Sequence, residues 1–244
     1  MYLTMKEISI KQFNAATPEK FQEIMTGPPD IAAQWLATAA EHGVADAQAS
    51  YGQMLLDGTG VQRNPAEALH WFKAAANADH AMGMNMVGRC YENGWGTTAN
   101  LVVATYWFRL AANRGLDWGM YNYATSLALG RGTDADPAQA FAWLEKAAGL
   151  GHAKSWNILG GFYEDGREVE ASMETAMDCY CRSAQGGDFR GQFNYARVLA
   201  AQGDIEQAIC WLKKVPTTAT PAFMEKARKF LSTAALRELR ELKI

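Results

Sequence analysis

Trp35, Trp71, Trp107 and Trp143 stand 36 residues apart, and a ruler of that length constrains the fold more than any single motif does. Cys179 takes the next step, and Trp211 follows 32 residues later. Gly52, Gly88, Ala124, Gly160 and Ala196 keep the same period, as do Gly58, Gly94, Gly130 and Gly166. A period in the range of roughly 20 to 50 residues marks a supersecondary unit that cannot bury its apolar face alone and stacks on copies of itself.

The unit at residues 45–80 can be read physically. Ala47, Tyr51, Met54 and Leu55 recur at the spacing of one helical face. Gly52 on that face costs about 1 kcal/mol of helix propensity relative to Ala, and the expected compensation is close approach of a neighbouring helix. Asp57-Gly58-Thr59-Gly60 stops the helix with glycines that accept positive φ. Asn64-Pro65 starts the next, Asn as N-cap and Pro at the first helical position. Ala68, Leu69, Trp71, Phe72 and Ala75 then form a buried face, with the ruler tryptophans read as core. Asp136-Pro137-Ala138-Gln139-Ala140-Phe141-Ala142-Trp143 repeats this logic.

These copies resemble the Sel-one-like repeat family, relatives of the tetratricopeptide repeats with a slightly longer unit. The resemblance rests on Ala45-Asp46-Ala47 through Tyr51-Gly52, on Gly58-Thr59-Gly60-Val61, and on Ala68-Leu69-His70-Trp71-Phe72-Lys73-Ala74-Ala75. Gly88, Tyr91, Trp107 and Phe108 keep register in the next copy, and Gly130, Gly132, Ala140, Trp143 and Lys146-Ala147-Ala148 in the third. The fourth departs, with Glu168 for the second loop glycine and Cys179 for the tryptophan, and the fifth has a loop shortened by four residues.

The expected fold is therefore all-α, a right-handed α-solenoid of antiparallel helix pairs. A partial unit covers residues 28–44, and full units follow at 45–80, 81–116, 117–152, 153–188 and 189–215. Residues 1–27 lack the rulers and read as an N-terminal cap with a short helix from Glu19 to Met25. Residues 216–244 read as a loop and a capping helix from Ala222 to Leu242.

What the resemblance implies about function is a protein–protein interaction scaffold or adaptor, holding a partner protein or an extended peptide in the concave groove of the solenoid. Taking the first helix of each pair as the groove wall, the lining would be Met82, Asn85, Arg89, Trp118, Tyr121, Asn122, Lys154, Asn157, Arg190, Asn194 and Arg197. Trp118 reads either as an exposed anchor or as a residue packed on a neighbouring turn. One asparagine per repeat could pair with a peptide backbone, since a carboxamide both donates and accepts. Asn122 and Asn194 sit one residue later in the repeat than Asn85 and Asn157, which leaves open that one pair faces a neighbouring helix. Lys154, Arg190 and Arg197 make the later wall basic, offset by Glu164 and Asp165.

Composition narrows the alternatives. The formal charge is −3, which speaks against nucleic acid as a partner, because phosphate binding concentrates Lys and Arg. No apolar run reaches the length of a membrane span, and the opening Met1-Tyr2-Leu3-Thr4-Met5-Lys6-Glu7 is not signal-like. A cytoplasmic location with reduced, mostly buried thiols is the expectation for Cys90, Cys179, Cys181 and Cys210. Cys179 and Cys181 would diverge by about 200° on a helix, so a bridge between them is not expected.

No metal site and no cofactor are expected: Cys-x-x-Cys and paired-His spacings are missing. The Gly-x-Gly loops lack the strand and the third Gly or Lys of a phosphate site. His42, His70, His80 and His152 accompany no nucleophile motif, and His80 and His152 read as cations at helix C-termini. Enzymatic action on cell-wall-related compounds, which the resemblance attaches to some cysteine-rich members, lacks the regular cysteine pairs here. Self-assembly into homo-oligomers through a terminal helix is the remaining rival.

Overall fold

The computed structural model describes residues 15–233. Among them the regular structure is helical: α1 (Pro18–Met25), α2 (Pro29–Glu41), α3 (Ala45–Asp57), α4 (Pro65–Asn77), α5 (Ala81–Asn93), α6 (Leu101–Asn113), α7 (Asp117–Leu129), α8 (Pro137–Gly149), α9 (Ala153–Asp165), α10 (Met173–Gln185), α11 (Phe189–Ala201), α12 (Ile205–Leu212) and α13 (Pro221–Ser232), with a 3-10 turn at Val215–Thr217. The chain forms two compact units. One runs to Ser126 and includes Gly130–Asp134; the other comprises Leu127–Leu129 and the chain from Ala135.

The starts and stops follow the expected chemistry. Asn64 Oδ1 accepts the Glu67 backbone N–H at 3.2 Å ahead of α4, and Asp136 Oδ1 accepts that of Gln139 at 2.9 Å ahead of α8. Each satisfies one of the orphan donors of a helix start. Gly58 ends α3 in the left-handed region, with its N–H on the Met54 carbonyl. The second loop glycine, Gly60, is also left-handed and lies so close to the Pro29 carbonyl that a side chain there would collide with backbone. Glu168 holds the same conformation at φ 61° in the fourth copy, where a side chain is strained by roughly 1–2 kcal/mol.

In the first unit α3 packs on α4, α5 on α6, and α3 on α5. Its core gathers Leu55, Leu56, Leu69, Phe72, Met84, Val87 and Cys90. The tryptophan ruler is not the deepest layer. Trp35, Trp71, Trp107 and Trp143 are half-buried, whereas the residue after each (Leu36, Phe72, Phe108, Leu144, and then Tyr180) is buried. The amphipathic indole sits where a stripe meets solvent, and the residue one step on points inward.

The small-residue ruler faces that inner layer. A Cβ on Gly52 would stand 2.8 Å from the Phe72 ring, and one on Gly88 would stand 2.5 Å from the Phe108 ring. Glycine here is the condition for close approach of paired helices, since overpacking by one methyl typically costs about 1–3 kcal/mol.

In the second unit α9 packs on α10, α10 on α11, α9 on α11, and α11 on α12. Gly160 meets the Tyr180 ring in the same way. In the shortened copy the opposing residue is Leu212, and Ala196 shares its core cluster: the narrower side chain leaves room for one methyl. Phe189, Val215 and Met224 form a further cluster under α13. Helix α1 starts one residue earlier than expected. Where a C-terminal helix is expected, Pro221–Ser232 is helical with Thr233 as its C-cap; residues 234–242 of that expectation, like residues 1–14 of the N-terminal cap, lie outside the described residues.

Candidate functional site

The predicted wall residues of the first unit sit on α5 and α7. Asn122 Nδ2 donates to Asn85 Oδ1 at 2.8 Å, fastening the two helices side by side. Asn85 is buried, so the reading of it as a groove-facing rung is corrected: its amide oxygen serves the helix joint. Met82 and Trp118 stand one turn N-terminal to the two asparagines, on the same faces. They are 36% and 39% exposed, and Trp118 meets Tyr121 edge to face at 6.3 Å. Arg89 pairs with Glu92 at 2.7 Å and lies over the Trp95 ring at 5.5 Å.

The second unit repeats the clasp: Asn194 Nδ2 donates to Asn157 Oδ1 at 2.9 Å. Both pairs bond across the same offset, 37 residues, one more than the period. Lys154 is half-buried. Arg190 is exposed, and its guanidinium lies 4.4 Å from the centre of the Phe189 ring. Arg197 donates to Glu164 Oε2 at 2.5 Å, and the Tyr180 hydroxyl donates to the same oxygen at 2.7 Å.

Arg197 holds the Glu164 carboxyl below the usual carboxylate range, against the opposing effect of burial. Burial, and then the carboxylate, push the Tyr180 hydroxyl up. The expected offset of the basic residues takes a specific form here: Glu164 pairs with Arg197 in place.

A cleft of about 450 Å³ opens in the first unit, lined by Gln53, Leu56, Asp57, Arg63, Met86, Arg89 and Trp95. Gln53 donates to Asp57 at 2.7 Å, and Arg63 Nε donates to the Leu56 carbonyl at 3.0 Å. Of this set the sequence reading placed only Arg89 on the binding wall. Trp95 carried a usable signal, since it stands where the other copies have Thr59, Arg131 and Arg167.

The histidines require a second correction. His80 Nδ1 accepts the Gly83 N–H at 3.0 Å, and His152 Nδ1 accepts that of Ser155 at 3.3 Å. Both are N-caps of the following helix rather than cations closing the preceding one. A C-cap residue and one left-handed turn residue, Ala78 with Asp79 or Leu150 with Gly151, separate each from the helix before it. Cys90 and Cys179 are buried, Cys181 is half-buried and Cys210 is exposed, so the thiols are less uniformly buried than expected. Burial raises the Cys90 and Cys179 thiols to about 11. Among the described residues no group of three His, Cys, Asp or Glu is placed to hold a metal ion, and no helix is long and apolar enough to cross a membrane.

The helix pairs, the period and the glycine contacts together are those of a known repeat. The family model described as Sel1 repeat matches residues 28–44, 45–80, 81–116, 119–152 and 157–188. The chain belongs to the Sel1 repeat family. It is similar in structure to a Sel1 repeat protein from Oxalobacter formigenes, with a TM-score of 0.77 and 23% identity over 91% of this chain and 93% of that one. It is also similar to c5321, a protective antigen of uropathogenic Escherichia coli with an SLR fold, with a TM-score of 0.72 and 25% identity over 96% of this chain. This Sel1 repeat chain spans about half of c5321, 54% of its length. The immunity protein Pa5087 of Pseudomonas aeruginosa shares the fold at a TM-score of 0.57 and 18% identity, over 82% of this chain and 79% of that one. No curated protein matches the chain.

Proposed function

We propose that this Sel1 repeat protein is an interaction scaffold that holds a partner protein or an extended peptide on the faces of its first helices. The observation that carries the reading is the pair Met82 and Trp118, exposed at the same register position of two helices that the Asn85–Asn122 bond holds together. A large aromatic beside a flexible thioether, both presented on fixed backbone, is the composition of an interface anchor. The asparagines act as clasps beneath this surface, and Tyr121 supports the indole from the side. In the second unit Lys154, Asn157, Arg190, Asn194 and Arg197 are the corresponding contributors, with Arg190 the exposed cation.

The test is affinity capture with the full chain, comparing wild type, Met82→Ser/Trp118→Ala, and Val102→Ser. Val102 is 66% exposed on α6, a second helix, and serves as the control for the other face. The double variant should keep its helical circular dichroism and lose the captured proteins, while the Val102 variant retains them. Undiminished capture by the folded double variant overturns the first-helix reading. Loss with the Val102 variant instead assigns binding to the second helices.

A further inference from the structure

We infer that the cleft between α3 and α5 is a carboxylate-binding subsite, which takes an acidic group from the peptide or protein held by the first helices. This inference rests on the scaffold reading above and adds a chemical preference to it. The protein itself contains the template. Three periods along, Arg197 occupies the register position of Arg89, and Glu164 occupies that of Leu56. There the arginine receives a carboxylate from the neighbouring first helix at 2.5 Å. In the first unit Leu56 supplies none, and a cleft of about 450 Å³ opens at the joint.

Two further features suit the cleft to an anion. Arg63 stands where the fourth copy has Ala171. Its Nε donates to the Leu56 carbonyl, which fixes the guanidinium beside the cleft that Arg63 lines. A guanidinium fork of that kind matches a carboxylate. Trp95, Met86 and Leu56 supply an apolar wall for the carbon chain that carries the acid. Of the native carboxylates, Glu92 is paired with Arg89, while Asp57 accepts from the neutral Gln53 amide and keeps its charge at the cleft, so an incoming acid must be held by Arg63 and Arg89 against it. The Arg89–Glu92 pair lies within one helix and is partly exposed, a class of pair worth only about 0.3–0.5 kcal/mol. An incoming acid can therefore share Arg89 at little cost.

The experiment titrates the 15N-labelled full chain with three capped probes: Ac-Leu-Glu-Leu-NH2, Ac-Leu-Gln-Leu-NH2 and Ac-Leu-Gln-Leu-OH. The readout is the Trp95 indole N–H together with the arginine Nε–H signals. Saturable shifts are expected at peptide concentrations of about 1 mM, with the glutamate probe or the free-acid probe binding at least about tenfold more tightly than the neutral one. Which of the two acids wins distinguishes an acidic side chain from a chain terminus. Arg63→Ala, at an exposed position, should abolish the preference. Leu56→Glu, which installs the internal carboxylate of the second unit, should weaken both acids to the level of the neutral probe.

Equal binding of all three probes, absence of shifts at Trp95, or an acid preference that survives Arg63→Ala overturns the inference. The Met82→Ser/Trp118→Ala variant separates this result from the scaffold reading. If it still binds the acid probe but captures partners as wild type does, the scaffold face is wrong and the cleft stands. If capture is lost as expected while wild type binds no acid, the cleft is wrong and the scaffold face stands.

Discussion

Where α3 meets α5, the residues at the joint are Gln53, Leu56, Phe72, Met86 and Arg89; where α9 meets α11, the same register positions hold Gly161, Glu164, Tyr180, Asn194 and Arg197. The backbones are alike, down to the glycine that admits the ring of the second helix, Gly52 under Phe72 and Gly160 under Tyr180. The outcomes differ. In the second unit a carboxylate, a phenol and a guanidinium close the joint on themselves. In the first, an apolar Leu56 and a ring without a hydroxyl leave the arginine on its own helix and a cleft beside it. A repeat scaffold can thus turn one joint into a lock and another into a receptor by exchanging Leu for Glu and Phe for Tyr.

The strongest way to break this comparison is to remove the arginine from each joint. Arg197→Ala strands Glu164 with Tyr180 alone and should lower unfolding stability by about 2 kcal/mol in urea titration, below the range for fully buried pairs because both groups are partly exposed. Arg89→Ala should cost no more than about 0.5 kcal/mol. Equal losses at the two sites would remove the distinction.

The next largest effect comes from transplanting the lock. Leu56→Glu/Phe72→Tyr should show a coupling of about 1 kcal/mol with Arg89 in a double-mutant cycle. Absence of coupling would mean that the α3–α5 joint does not reproduce the α9–α11 geometry.

Acidity sharpens the comparison further. Glu164 titrates below the ordinary glutamate value of 4.5 when folded, so the unfolded chain takes up its proton first as pH falls. Its stabilisation is complete above the unfolded value and is lost as pH drops through the folded one. The stability gap between wild type and Glu164→Gln should therefore shrink on acidification from about pH 7 towards about pH 3. A gap that stays constant would sever the link to ionisation.

The smallest expected change concerns the loops. Glu168→Gly restores the loop residue of the first three copies at a left-handed position and should raise stability by about 0.5–1 kcal/mol. A loss of stability there would indicate that the Glu168 side chain contributes more than its backbone strain costs.

Most of the fold could be read from the chain, because the period and the punctuation are local physics. Asn64-Pro65 and Gly58 mark a start and a stop through hydrogen bonds and φ preferences that need no distant partner. The small-residue ruler even implied a close helix contact, since glycine on a buried face has few other uses. The site was less legible. From sequence the first helices are expected to form the wall, with Trp118 as a candidate anchor and the asparagines as rungs or, for one pair, contacts to a neighbouring helix. In the structure all four asparagines bond to one another in two pairs between helices.

The sequence by itself determined the helices, their pairing and their repetition, since hydrophobic period, caps and left-handed glycines act within one unit. Only the tertiary structure decided which polar groups are consumed and which remain. Asn122 reaches Asn85 across 37 residues and Arg197 reaches Glu164 across 33, offsets to either side of the 36-residue period. Which side chains meet across neighbouring first helices is a property of packing that neither helix encodes alone. The cleft at Arg63, Arg89 and Trp95 belongs to the same class: it exists because a side chain three periods away has no counterpart there.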